Sequence, residues 1–391
     1  MSHFPFLIGK KVVLVSHELS LTGAPLLLVE TATTLVKSGA AVSLVNVGFQ
    51  DPVFRLPALE GLRVLPVEES FAAAAAADLI VANTAATKHW VRQLLTDHPG
   101  AGRRLIWWVH EMQTEFFGQD MSCLSQACAA IFDSHSSYHI WQQTDLPMPA
   151  TTRVIHPGLS DGFLQAANKL HHAARDLSES RLKSEREAVR TRLKVSSQDF
   201  LVSLFGSYCA RKGHDLLVET VEDMLAAQPD LRLKLLLIGF RGEIQRQEFL
   251  HAHTEAHPRA LDPDRVLGET IDLKPYYLAS DAFVMNTQEE GEAFGRVTIE
   301  AMAFRLPVLG TACGGTREIV VDGVSGLLHP PGKEGKSILA AQIVALMNNR
   351  SRASALGEAG FRRVSTAFTN GRFYDELGKV FEVVCLGQTC L

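Results

Sequence analysis

The strongest constraint in this chain is an alternation, seen twice, of short β-branched or aliphatic runs with helix-spaced amphipathic segments. Lys11-Val12-Val13-Leu14-Val15 is a strand-forming run closed by Ser16-His17. Leu26 to Lys37 then carries apolar residues at helical spacing, and Gly39 stands where a helix C-cap belongs. Val42 to Val47, Asp78 to Ala82, Leu105 to Val109 and Ala129 to Asp133 read as further buried strands. The same grammar resumes with a strand at Phe200 to Phe205 and a helix over Asp215 to Gln228. Strands follow at Leu233 to Ile238, Val266 to Gly268, Ala282 to Asn286 and Val308 to Thr311. A helix from Gly295 to Phe304 stops before Pro307, because proline disfavours helical geometry in the residue ahead of it. Gly314-Gly315 turns into another helix near Thr316. This pattern predicts mostly parallel sheets with helices on both faces. The expected fold class is therefore α/β, with two doubly wound, Rossmann-like domains facing each other across a cleft. No sequence repetition links the halves.

A length of 391 residues allows two domains or three, each large enough to bury a core without a disulfide or metal staple. Between the two alternating halves the composition shifts. Residues 168–194 carry eight Lys/Arg and four Asp/Glu with few large apolar side chains, and read as a solvated helix between domains. The predicted division is 1–160, a charged helical bridge over 161–195, and 196–369. A final helix at about 370–391 is expected to pack back on the first domain. The net charge of −5 speaks against a basic face that grips nucleic acid. The six cysteines form no C-x-x-C, and no histidine pair completes a zinc pattern, so a reducing compartment is expected. No stretch offers the ~20 apolar residues of a membrane span, and the apolar part of the N-terminus is too short for a secretory leader. The reading is a cytoplasmic protein without an integral membrane segment. Its oligomeric state has no legible signal.

The residues with chemistry to offer lie mostly just past strand ends, where open α/β sheets bind ligands. Glu292 and Glu300 stand on either side of Phe294-Gly295-Arg296-Val297. If that whole span were helical, the two carboxylates would be ~12 Å apart along the axis, which suits one elongated ligand better than one metal ion. Backbone amides of residues 294–297 at a helix N-terminus favour a phosphate. A phosphate flanked by hydroxyl-binding carboxylates is what a nucleotide-sugar needs. After the strand Phe200 to Phe205 come Arg211 and Lys212, a planar fork and a point charge suited to a diphosphate. After the first strand, the small residues Gly23 and Ala24 enter a helix and can bring backbone close to a phosphate or a sugar. His110 follows Trp107-Trp108-Val109 at a strand end and is placed to bond a substrate hydroxyl or to serve structurally. Asp262-Pro263-Asp264 is the one Asp-x-Asp, but it precedes a strand, so no metal site is expected. Gly335-Lys336-Ser337 imitates the end of a P-loop, with Pro330 in the first glycine's place. No G-x-G-x-x-G, H-E-x-x-H or G-x-S-x-G is present, which weakens dehydrogenase, zinc-protease and esterase readings.

Glu292 to Glu300, continuing through Ala301 to Val308, resembles the E-x₇-E signature of family 4 retaining glycosyltransferases with the GT-B fold. Gly314-Gly315 through Glu318 and Asp322 to Leu328 continue the likeness. In the N-terminal half it rests on His17 to Pro25 and Trp107 to Met112, and the wording of both halves is most similar to plant-type members. By this resemblance Glu300 binds the ribose hydroxyls and Glu292 those of the transferred sugar. Arg211 and Lys212 hold the diphosphate with the amides of Phe294, Gly295, Arg296 and Val297. Gly23 and Ala24 approach the donor from the first, acceptor-side domain, and His110 contacts the sugar near its anomeric carbon. The resemblance implies a retaining transferase that needs no cofactor or divalent metal, with a UDP-sugar as donor and an acceptor that no motif identifies. Acceptor contacts are expected from loops between Gln50 and Ala76 and around Gln113 to Ser122. A nucleotide-sugar 2-epimerase, or an inactive nucleotide-sugar-binding homologue, is the alternative. Ser207 departs from the pattern, standing where many members have an arginine, so the loop's phosphate geometry is open.

Overall fold

In the computed structural model the described residues are 3–20, 22–48, 62–113, 118–175, 180–239, 243–268, 270 and 272–386. Those of Met1–Gly158 and Asn370–Leu391 form one compact unit and those of Leu159–Thr369 another.

The first unit is built on seven strands: β1 (Lys11–Ser16), β2 (Ala41–Asn46), β3 (Arg63–Leu65), β4 (Leu79–Asn83), β5 (Leu105–Val109), β6 (Ala129–Phe132) and β7 (Thr151–Val154). Their order is β3-β2-β1-β4-β5-β6-β7, and every neighbouring pair is parallel. Helices cover both faces, so β4 and β5 are buried at every position, and apart from Asn83 at the end of β4 they read as apolar runs. Successive residues point to opposite faces. Trp108 joins Leu14, Val81 and Ile131 in one core layer, and Trp107 joins Val15, Ile80 and Phe132 in the other. The first layer is completed by Phe373, Leu377 and Phe381 of the helix Asn370–Leu386. Its apolar residues three and four apart form one buried stripe.

The second unit carries β8 (Phe200–Phe205), β9 (Leu233–Ile238), β10 (Val266–Leu267), β11 (Ala282–Met285), β12 (Val308–Thr311) and β13 (Leu327–His329). The order is β10-β9-β8-β11-β12-β13, again all parallel. Each unit is thus a Rossmann-like α/β domain. The strand order changes direction between β1 and β4 in the first sheet and between β8 and β11 in the second. The carboxyl ends at these switch points are where such sheets bind ligands.

The charged segment expected as a bridge is two helices, Asp161–Arg175 and Ser180–Arg192, that belong to the second unit. Ala167, Val189 and Leu193 enter its core. Arg186 and Arg190 both reach the carboxylate of Asp281, at 2.9 and 3.0 Å, and Arg190 also donates to the carbonyls of Ala279, Ser196 and Asp199. The charges of Arg186 and Arg190 are therefore spent on intradomain bonds. No described helix is long and apolar enough to cross a membrane.

Candidate functional site

In the first unit the candidate residues gather at the carboxyl ends of β1, β4, β5 and β6. The loop after β1 leads to the helix Gly23–Lys37, which starts at Gly23 with no side chain capping it. Its would-be cap, Thr22, instead donates to Glu18 at 3.0 Å, and Ser20 donates to the same oxygen at 2.9 Å. The hydrogen bond from His17 is the main influence lowering the Glu18 carboxyl to about 2, against the desolvation of partial burial. His17 also meets the Thr84 hydroxyl at 2.8 Å. Thr84 follows β4 with φ +75°, a strained value for a β-branched residue. It is held there by Trp108, whose carbonyl accepts its amide, and by Trp107, whose indole N–H donates to its carbonyl.

His110 lies just past β5 with its ring buried. Its Nδ1 is 2.6 Å from Asp133 Oδ2, and its Nε2 is 2.7 Å from Asn83 Oδ1. Asp133 takes a second hydrogen bond from the Trp108 indole at 2.9 Å, and Asn83 donates its amide to the Ala24 carbonyl at 3.4 Å. Two sequence-predicted residues, His110 and Ala24, are thus joined by one that sequence reasoning missed, Asn83. Glu111 accepts from the backbone amides of His110 and Ala85. Burial disfavours charge on His110, but Asp133 and Glu111 outweigh it and raise its pKa above the ordinary value.

In the second unit the loop after β8 carries Arg211 and Lys212 and turns at Gly213, with φ +67°. A Cβ on Gly213 would stand 2.0 Å from the Asn286 carbonyl, so only glycine fits. Asn286, just past β11, donates to the Gly213 carbonyl at 2.7 Å and meets His329 Nε2 at 3.1 Å. The first unit uses the same device. In each, an asparagine at the carboxyl end of the switch-point strand ties the opening of the first helix to a histidine.

Lys212 forms an ion pair with Glu292. Glu292 is outside any helix, because the chain turns at Gly295 (φ +96°) and the helix runs only over Arg296–Ala303. The two glutamates therefore do not share a helix. Gly314 and Gly315 press on this loop from β12: a Cβ on Gly314 would meet the Glu292 carbonyl at 2.4 Å, and the Gly315 amide donates to that carbonyl at 2.7 Å. Glu300, one helical turn inside, accepts from the Tyr277 hydroxyl at 3.0 Å and lies 3.3 Å from Arg296 Nε. Burial, then the Glu300 charge, raise the Tyr277 pKa well above its usual value, so the phenol stays a donor. Tyr277 too was missed, since nothing in the sequence ties it to Glu300. Phe294 packs edge-on against Phe368 in the core, so a ligand role for it falls to its backbone. The N-cap of this helix is Gly295, which has no side chain to cap it.

The decoys have structural partners. Asp262 binds Arg265 and Asp264 binds Lys194, while Lys336 pairs with Glu219 and Asp223. Part of the loop expected for the acceptor, 50–61, and residues 114–117 lie outside the described residues, as does Cys390.

Residues 8–171 match the family model described as Glycosyl-transferase family 4, and residues 199–349 the one described as Glycosyl transferases group 1. The chain is 36% identical over 204 residues to a D-inositol 3-phosphate glycosyltransferase of Geodermatophilus obscurus, covering 49% of this chain and 42% of that protein. It is 29% identical over 187 residues to an uncharacterized glycosyltransferase of Methanocaldococcus jannaschii, covering 47% and 48%. The chain spans about half the length of the curated relatives it matches. Among solved structures, Anabaena HepE in complex with UDP-glucose is similar over 95% of this chain and 99% of that one, with TM-score 0.77 and 22% identity. Sucrose-phosphate synthase from Thermosynechococcus elongatus is similar over 97% and 100%, with TM-score 0.71 and 20% identity. These likenesses establish the fold as GT-B. With one family model on each sheet, the chain belongs to the family 4, group 1 glycosyltransferases.

Proposed function

We propose that this protein is a retaining, metal-independent transferase that moves a sugar from a UDP-sugar to a hydroxyl acceptor. The observation that carries the reading is the set of groups past β8 and β11. Lys212 is held by Glu292, and Glu300 is held by Tyr277 and Arg296 in a helix whose N-cap is a glycine. In this reading Glu300 takes the ribose hydroxyls and Glu292 the hydroxyls of the transferred sugar. Arg211, Lys212 and the backbone of Phe294, Gly295, Arg296 and Val297 neutralise the diphosphate, in place of a metal ion. In the first unit Gly23 and Ala24 are donor-contacting backbone, and His110 lends its charge. The solved HepE complex with UDP-glucose supports the choice of donor.

Chemically, the acceptor oxygen forms its bond to the anomeric carbon as the bond from that carbon to the diphosphate oxygen breaks. The acceptor proton passes to the departing phosphate on the same face. Negative charge grows on the diphosphate along this path, so fixed cations there lower the barrier. A reducing, cytoplasmic setting suits the free thiols at Cys123, Cys128, Cys209, Cys313 and Cys385.

Transfer from a panel of nucleotide-sugars, measured on the wild-type chain and on Glu300→Ala and Lys212→Ala, tests the assignment. Loss of turnover in both folded variants is expected, by about a hundredfold or more. Unchanged transfer in either would refute it.

A further inference from the structure

His110 is bonded at both ring nitrogens, and both partners are acceptors. At Nδ1 the partner is the Asp133 carboxylate, 2.6 Å away. At Nε2 it is the Asn83 side chain, 2.7 Å away. An amide can present either its oxygen or its NH₂ to a ring nitrogen, and here the choice is set by the other end of the side chain. That end faces the Ala24 carbonyl at 3.4 Å, which accepts only a donor. The NH₂ therefore goes to Ala24 and the oxygen to His110. An imidazole facing two acceptors is satisfied only when it carries a proton on each nitrogen. Two carboxylates, Asp133 and Glu111, flank the ring, and they are the charged groups acting on it among the described residues. Trp108 donates to the other oxygen of Asp133 and fixes its orientation.

We propose that His110 is a standing imidazolium, locked by Asp133 and Asn83 as positioning residues, and that it offers a substrate its charge rather than a proton-accepting nitrogen. The inference rests on the proposed transferase reading only for where that charge is used. It excludes His110 as a general base, because no ring lone pair is left. The balance of burial against the two carboxylates favours the same protonation state. The lock also reaches the helix at Gly23–Lys37, since Asn83 grips the imidazolium with one end and Ala24 with the other. Loss of the proton would leave Asn83 Oδ1 facing a lone pair and loosen the start of that helix.

The test is a pH titration of the histidine rings by nitrogen NMR on the full chain, with the His110 signals identified by their loss in His110→Gln. Both nitrogens of His110 should report a protonated ring from about pH 6 to 8, where an ordinary histidine loses its charge. A neutral His110 ring at pH 7 in the wild type would overturn the proposal, with no variant needed. Asp133→Asn keeps the shape and removes the charge, and should bring the His110 midpoint into the neutral range. In transfer assays kcat/KM of this variant should fall about tenfold or more between pH 6 and 8, where the wild type stays level. A merely structural role for Asp133 would lower activity without moving the pH profile, and that result also overturns the proposal. Failure to find any transfer would refute the enzymatic reading, while the ring titration still decides the state of His110.

Discussion

His214 opens the helix His214–Ala227 directly beneath the Arg211–Lys212 loop, and it is fully buried. Neither ring nitrogen has a hydrogen-bond partner among the described residues. Its neighbours are aromatic: the Tyr208 ring at 5.0 Å and Phe249 edge-on at 5.9 Å. Burial, then the charge of Lys212 and His253, lowers its pKa from 6.5 to about 3. The folded state therefore holds this ring neutral while the unfolded chain protonates it below about pH 6.5. The unfolded state binds more protons in that window, so stability falls as pH falls and the loss is complete near pH 3. At about 1.4 kcal/mol per pH unit the full penalty is about 5 kcal/mol, of which about 3 kcal/mol has developed by about pH 4.5. His214→Leu keeps the size roughly constant and removes the proton site. At about pH 7.5 it should match or exceed wild type by up to about 2 kcal/mol, because it deletes two unpaired polar atoms. By about pH 4.5 its advantage should have grown by about 3 kcal/mol. All four tryptophans lie outside the second unit, so hydrogen exchange in the helix His214–Ala227 is the suitable readout. Equal pH dependence of protection in the two proteins, or a His214 ring that titrates near 6.5, would refute the reasoning.

Two other predictions concern the scaffold. Gly213→Ala places a methyl against the Asn286 carbonyl at a positive φ, and should cost about 3 kcal/mol and release the Asn286–Gly213 bond. Urea denaturation reads the loss, and nucleotide affinity should fall with it. Asp281→Ala strands Arg186 and the buried Arg190, and should destabilise the second unit by about 3–5 kcal/mol, seen as lost protection in the helix Ser180–Arg192. A loss below about 1 kcal/mol would mean that the pair contributes no more than a surface contact.

The central strands were legible because both of their faces are buried. Phe200 to Phe205, for example, is apolar but for Ser203 and buried at every position. Strands β3, β7 and β13 left no comparable trace. They are short and lie at or near sheet edges, and Arg63, Val64 and Arg153 face solvent. The candidate residues were found where they follow a readable strand, as His110 follows Trp107-Trp108-Val109. Their partners were not. Asp133 and Asn83 reach His110 across 23 and 27 residues, and Tyr277 reaches Glu300 across 23, separations that carry no local pattern. The helix predicted from Gly295 begins one residue later. It leaves Glu292 in a loop shaped by Gly291, Gly295 and Gly314, whose positive φ values come from tertiary packing.

Calorimetric titration of UDP into the wild-type chain and into Glu300→Ala tests the central claim most directly. Saturable one-to-one binding to the wild type is expected, weakened about tenfold or more in the variant. Absence of binding, or equal affinity in both proteins, would contradict a nucleotide-sugar site built around Glu300, Lys212 and Glu292.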